Sequence, residues 1–452
     1  MILIYNCINN KQLKGVLPMY NSISQLSFFF NKEIENLGDL ERLNLAIQNI
    51  DDSKLIKELN KIRGNGRNDF PVGAMLNSLY AMMIYGHKSV SSMIRELSRN
   101  SQLRQLCGFV PYWRKDKTGV SKLITYPNNR AYTNFMKNLS ECEIEYEEMF
   151  NQLVEYMSEN IEDFGDKLAG DGKIIESYAK YENKNKVIDG RRDVDADYTV
   201  KKYTISNKNG EIVTKKKIYF GYRVHAIIDT KTELPVAINV TKASNSEMYE
   251  MLDLLKQLIK SQPKLKEKIK YFLADKGYDW TDLIKYLEKE GISPIIDICN
   301  NWQIQEDTKA YKNSDIEYTY DGKVYYLDDE NKKHKMIYLG YDKKTDSLRY
   351  GFNPQYKKST EIIRIKLNTD RRVFVPVARD SLKWKRLYKG RTSVERYNGR
   401  LDRDLGFEIH TIRGLKKMKM FVYMANIIML GIAKGKIEQN HMEHLAALTK
   451  IA

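Results

Sequence analysis

The alternation of apolar and polar positions divides the chain into four textures. Through residues 31–140 apolar side chains recur at helical intervals, predicting helices over 33–62, 71–85, 90–106 and 131–139. Pro71 suits a first helical turn, and Ser89 and Asn128 have cap chemistry. A further helix is expected over 141–164. The period then shortens to that of strands, at 167–173, 218–229 and 234–240, the last two forming a hairpin, with a polar, basic loop expected over 181–217 before it. Ser244-Asn245-Ser246-Glu247 reads as a capping box opening a helix to residue 259. An apolar run over 269–274 stops on Asp275, a helix follows over 280–290, and a strand over 292–298. Short β segments then occupy 316–320, 323–327, 335–341 and 348–352, and helix returns beyond Ser381.

Strand, hairpin, helix, strand ending on an acid, helix, strand is the order of a ribonuclease H-like mixed sheet. The fold class expected is therefore α/β, with a β-rich insertion and an all-α N-terminal domain. The division is 1–30 (an unassigned extension), 31–140 (helical), 141–300 (first part of the core), 301–378 (insertion), 379–440 (the Glu395 helix and C-terminal helices) and 441–452 (a tail). The helical region reads either as a DNA-reading module or as a helical lid.

Charge narrows the partner. The 452 residues carry 75 basic against 59 acidic side chains, a net +16, which favours a polyanion, nucleic acid before a membrane surface. Cys7, Cys107, Cys142 and Cys299 lie far apart, which excludes a cysteine zinc cluster and suits a reducing compartment. The start lacks the order of a signal peptide, and the 14-residue apolar run at 420–433 contains Asn426 and reads as a buried helix. A soluble, cytoplasmic protein without a membrane partner is expected. No phosphate-binding G-x-x-x-x-G-K-[ST] loop occurs, which argues against ATP-driven chemistry.

Three carboxylates stand out. Asp275 ends a buried strand, Asp171 lies between Gly170 and Gly172 on another, and Glu395 follows Tyr388 and Arg391 at intervals that put all three on one helical face. Two of them have plainer alternatives: a chain turn for Asp275 and an ordinary surface ion pair with Arg391 for Glu395. Convergent acids repel unless cations neutralise them, and hard oxygen ligands without cysteine or histidine suit two Mg²⁺ or Mn²⁺ ions. Residues 383–419 hold 12 basic and 4 acidic side chains, half of the whole excess, as a DNA groove would. Lys383, Lys385, Arg386, Arg396, Arg400 and Arg403 are its candidate DNA contacts, while Lys416, Lys417 and Lys419 read equally as a solvated face.

Asp171 in L-A-G-D-G, Asp275 in A-D-K-G-Y-D, and Tyr388, Arg391 and Glu395 in Y-x-x-R-x-x-x-E resemble the DDE transposases of bacterial insertion sequences, in the branch whose third motif is Y-R-E-K. The 219–225 strand, the 233–237 turn and the β insertion resemble it too, over about residues 71–434 in all. The resemblance implies a Mg²⁺-dependent endonuclease that cuts DNA at insertion-sequence ends and joins the 3′ ends to target DNA. Asp171, Asp275 and Glu395 would hold the ions, and Tyr388 and Arg391 would contact phosphates. Its partners would be double-stranded DNA (terminal inverted repeats and target) and a second copy of the chain, on the bacterial nucleoid. The branch places Lys seven residues after Glu; here that residue is Asp402, and Arg403 is about 100° further round. Two rivals remain: a ribonuclease H-like nuclease without strand transfer, and an inactive DNA-binding derivative. Of the weaker candidates, His225 reads as a core histidine, Asp229 as a turn residue and Asp279 as a helix cap. His441 and His444 have metal-ligand spacing near a terminus, and are set aside.

Overall fold

The structure is a computed structural model describing residues 37–64, 69–179, 193–206, 212–302 and 307–448. The 1–30 extension, part of the basic loop expected over 181–217 and the end of the tail lie outside the described residues. The helical region comprises α1 Glu41–Asn49, α2 Ser53–Arg63, α3 Val72–Ile84, α4 Val90–Arg99 and α5 Ser101–Cys107. Two of the expected helices are thus each divided. Asn100 breaks one, because its side chain accepts from Leu103 N–H at 2.9 Å and starts a new helix. Ser89 and Asn128 do cap, accepting from Ser92 and Ala131. An unforeseen hairpin follows, β1 Tyr112–Lys115 with β2 Ser121–Ile124, then α6 Asn129–Leu139 and α7 Glu143–Asn160.

The centre of the core sheet is β3 Lys167–Glu176. After it come β4 Asp197–Ser206, β5 Ile212–Asp229, β6 Pro235–Lys242, α8 Glu247–Ser261, α9 Pro263–Lys266, β7 Tyr271–Ala274, α10 Thr281–Lys289 and β8 Ser293–Ile296. Antiparallel β5 lies on one side of β3 and carries both β6 and β4; parallel β7 lies on the other side, with β8 beyond it. This is the ribonuclease H-like arrangement. The two glycines beside Asp171 serve packing: a Cβ at Gly170 would meet Phe272 at 2.6 Å and Met251 at 2.9 Å, and one at Gly172 would meet the Tyr278 hydroxyl at 3.2 Å. What approaches the backbone there is the core itself. The proposed capping box is not formed, since Ser246 makes no cap hydrogen bond and Glu247 turns to Arg223 at 3.1 Å.

The insertion builds two small antiparallel sheets. One holds β9 Lys309–Ala310, β10 Ile316–Tyr318, β11 Val324–Leu327 and β12 Lys333–Lys335; the other holds β13 Ile337–Asp342, β14 Ser347–Gly351 and β15 Ile362–Lys366. They share a separate apolar core that includes Tyr318, Tyr326, Leu348, Tyr350 and Phe374.

The chain returns through α11 Leu382–Tyr388, a single 3₁₀ turn Lys389–Arg391, α12 Thr392–Gly399 and α13 Leu415–Glu438. The helix expected at 420–433 is longer than its apolar run: α13 has 24 residues, and it alone among the described residues is long and apolar enough to cross a membrane. Met424, Ile427, Ile428, Met429 and Leu430 on it are fully buried, and it packs on α1, α7 and β6, as a core helix does.

Candidate active site

β3 and β7 are parallel and in register from Lys167 opposite Tyr271 to Ala169 opposite Leu273. Continued by two residues, that register puts Asp171 beside Asp275 at the carboxyl end of β7, on strands about 4.8 Å apart. Asp275 accepts from Gly277 N–H at 2.8 Å and caps a short 3₁₀ turn, so the turn role and its place beside Asp171 coexist. Burial pushes the Asp171 carboxyl up to about 6, and the negative charges of Asp275 and Glu247 add to it, against the Gly172 N–H and Lys201. Two acids therefore crowd one spot, with a third, Glu247, near.

The Glu395 helix is laid over the same edge. Asn398, one helical turn after Glu395, donates to Asp171 Oδ2 at 3.1 Å. The turn before it rests on β7, where a Cβ on Gly390 would meet Leu273 at 3.1 Å. Arg391 donates to Glu395 at 2.6 Å and lies over the Tyr388 ring at 5.8 Å. Burial works against the Arg391 charge, but Glu395, Tyr388 and Asp275 more than offset it and raise its pKa. Tyr388 in turn stacks on Trp384 at 4.5 Å. The surface ion pair anticipated as an alternative is thus formed, and Glu395 is 56% exposed. Its neighbours one turn away are the ones that meet the aspartates: Asn398 bonds Asp171, and Arg391 feels the Asp275 charge.

The donor set suits a hard divalent cation in type, all carboxylate oxygen without sulfur or imidazole. Beneath it, the buried Tyr278 hydroxyl has no hydrogen-bond partner among the described residues, and its ionisation is opposed by burial first and then by Asp171, Glu247 and Asp275. Among the described residues, however, no group of three His, Cys, Asp or Glu side chains stands close enough to hold one metal ion. Glu395 is paired instead with Arg391 on its own helix.

Asp402 faces Lys173, whose ammonium donates to it at 2.6 Å. Lys173 is two residues after Asp171 and so on the same face of β3. Residues 400–404 form a π turn closed by Leu405 N–H on Arg400 C=O at 3.0 Å. Arg403 lies within that turn, exposed, with its Nε 3.5 Å from Gly399 C=O.

The other basic candidates separate into two groups. Lys385 and Arg386 are exposed on α11, and Lys383 there lies over the Tyr271 ring at 5.3 Å. Arg396 and Arg400 both bind Glu233, the turn residue after β5, which ties the Glu395 helix to that hairpin. Lys416 pairs with Glu141 at 2.5 Å and Lys419 with Glu143 and Glu147 on α7. Those two fasten α13 to the helical region.

His225 is fully buried and meets Thr241 at 3.0 Å, the core histidine expected. Asp229 binds the N–H groups of Lys231 and Thr232, and also reaches back to Gly165, as a turn residue. Asp279 is not a helix cap: it accepts from Cys299 N–H at 2.9 Å and pairs with Arg372 at 2.8 Å. Asn398, Glu247 and Lys173 were missed from the sequence. Only Asn398, three residues after Glu395, was open to a spacing argument.

Comparison with known proteins gives the family. A family model described as "Transposase DDE domain" matches residues 200–430, just over half the chain, taking in Asp275 and Glu395 but starting after Asp171. A second, "Transposase domain (DUF772)", matches residues 32–121, within the helical region. No curated protein matches. Among solved structures, a piggyBac transposase synaptic complex with hairpin DNA is similar over 92% of this chain and 81% of that one, at 10% identity and a TM-score of 0.37. With a transposase model spanning the core sheet after β3, the insertion and the Glu395 helix, the chain belongs to the DDE transposase family.

Proposed function

We propose that this chain cuts DNA at the ends of a mobile element and joins the freed 3′ ends to a target, with Asp171, Asp275 and Glu395 as its acidic set. The observation that carries the proposal is the register of β3 on β7, which brings Asp171 to Asp275 under a helix bearing Glu395. These three acids would hold two Mg²⁺ or Mn²⁺ ions. When bound, such ions supply an activated attacking oxygen and a stabilised leaving oxygen.

The chain's own side chains have separable tasks. Asn398 holds the Asp171 carboxylate in one orientation. Arg391 releases Glu395 and takes a phosphate in its place, since a guanidinium fork binds two oxygens of either group equally well. Tyr388, braced by Trp384, positions that guanidinium. Lys383, Lys385, Arg386 and Arg403 track the phosphate backbone, with the DNA held by two copies of the chain.

The test supplies duplexes ending in the element's own terminal sequence, pre-cut and uncut, with a target plasmid and Mg²⁺. Joined products with the wild-type chain, and none with Asp275→Asn, are expected. Cleavage without joining marks a nuclease. DNA binding with neither product marks an inactive derivative, the reading that the Arg391–Glu395 pair favours.

A further inference from the structure

The β4–β5 ladder does not stop where the core sheet stops. β5 leaves β3 at Gly221 and β6 at Tyr222, yet it continues alone with β4 from Asp197 opposite Gly221 to Ser206 opposite Ile212. A two-stranded ribbon has no packing face of its own and is marginal in water. This one also carries an opposing charge pattern. Residues 198–202 and 213–219 hold Lys201, Lys202, Lys215, Lys216 and Lys217 and no acid, so nothing within them balances the charge. The register sets Lys201 opposite Lys217 and Lys202 opposite Lys216. Like charges directly opposite disfavour strand pairing, and successive pairs alternate between faces, so both faces bear the cost.

Two of these lysines have local company: Lys217 lies 3.9 Å from Glu176 and 4.5 Å from the Tyr219 ring. Lys201 acts electrostatically on Asp171, and the ribbon springs from Gly221, opposite Glu176 on the strand that carries Asp171. Lys202, Lys215 and Lys216 are exposed. A chain that retains this repulsion gains from whatever polyanion neutralises it. A bilayer surface engages one face of a ribbon, whereas a duplex groove accepts a two-stranded ribbon with phosphates on both sides.

We propose that the β4–β5 ribbon is a DNA arm, its lysines gripping the phosphates of the duplex whose reacting bond lies at Asp171 and Asp275. This rests on the DNA reading above and adds where the duplex runs: along the ribbon and onto the face of the core sheet that carries Asp171. The experiment measures binding of the full chain to a fluorescent 40-base-pair duplex of arbitrary sequence, without Mg²⁺, over a salt series. Lys202→Gln/Lys215→Gln/Lys216→Gln is compared with wild type. Loss of three phosphate contacts is expected to weaken binding at least about 10-fold at 0.1 M salt and to reduce the log–log salt slope by roughly 2–3. The melting temperature of the triple variant holds or rises, because repulsion is relieved; a merely structural ribbon would lose stability instead. Unchanged affinity and slope overturn the arm while leaving the transposase reading intact. Absence of duplex binding by the wild type sinks both, and arm-dependent binding to phosphatidylserine vesicles in place of DNA overturns the arm in favour of a membrane.

Discussion

Lys173 and Asp402 form an ion pair at 2.6 Å between the strand that carries Asp171 and the helix turn that follows Glu395. The pair is 15% and 31% exposed at its two side chains, so its energy exceeds that of a surface pair without reaching that of a buried one. It accounts for the acid at the position where the resembling branch has a lysine: a lysine at 402 would meet Lys173. Asp402→Lys is expected to cost about 1–2 kcal/mol. Adding Lys173→Asp should restore most of it. Denaturant melts of the two single variants and the double variant read the coupling; strict additivity would show that the pair does no work.

Asp171 is stabilised poorly in its own fold, as a metal-ligand acid is before the ion arrives. Its carboxyl, pushed up to about 6 chiefly by burial, is ionised at neutral pH only against the charges of Asp275 and Glu247. Asp171→Asn removes that crowding, and Asn398 offers its carbonyl to the new amide. We expect the variant to melt higher than wild type without divalent cation, by on the order of 1 kcal/mol, while joining activity falls on the order of 10³-fold. Mg²⁺ should raise the wild-type melting temperature and leave that of the variant unmoved. Calorimetry with and without Mg²⁺ checks both halves.

How much of this was legible follows from which residues carry local signals. Asp275 could be read because an apolar run of strand length ends on it, and Ser89 and Asn128 because caps are local. Their partners were not. Nothing near Glu247 says that it faces Arg223 and Asp171, since that contact depends on how α8 crosses β5. The β4–β5 ribbon was read as a loop because lysines at alternate and adjacent positions hide the strand period. Asp279 sits before a helix and looked like its cap, yet the insertion supplies Arg372 from far along the chain and claims the carboxylate. The π turn that contains Arg403 could not be read because such a turn leaves no mark in composition.

His225 gives the fold a pH dependence of known sign. Burial first, and then the Arg223 charge, depress its pKa from 6.5 to about 3. A base depressed in the folded state contributes stability fully above its unfolded pKa and loses it as pH falls. The loss therefore begins near pH 6.5 and runs to about 3, at up to about 1.4 kcal/mol per unit. His225→Gln keeps a partner for Thr241 and cannot protonate. Its melting temperature should fall less than that of wild type between pH 7.5 and 5. Parallel curves would mean that water reaches the imidazole.

One buried guanidinium joins the insertion to the catalytic core, beside the partly exposed pairs Arg372–Asp279 and Arg371–Glu288. Arg379, 7% exposed, donates to Ile296 C=O at 3.0 Å at the end of β8, and to Arg372 and Val373 C=O at 2.6 and 2.8 Å where the chain leaves the insertion. Burial lowers its pKa to about 10, with Asp279 and Asp297 opposing the shift, so it stays charged throughout the physiological range. Three carbonyls from two bodies depend on one planar fork, and an ammonium cannot reproduce that geometry. Arg379→Met leaves those carbonyls buried and unpaired, at about 1–3 kcal/mol for the group as a whole. Arg379→Lys should recover only part of it. The insertion has its own apolar core, so the expected failure is undocking rather than global unfolding. Limited proteolysis should then cut first in the 297–308 and 368–381 connections, releasing a protected fragment of the insertion. Since α11 and the Glu395 helix begin just after Arg379, joining activity should fall with docking, while binding of the duplex to the β4–β5 ribbon is retained. Global loss of both cores at one transition would mean that the two bodies fold as one and that Arg379 is not their hinge pin.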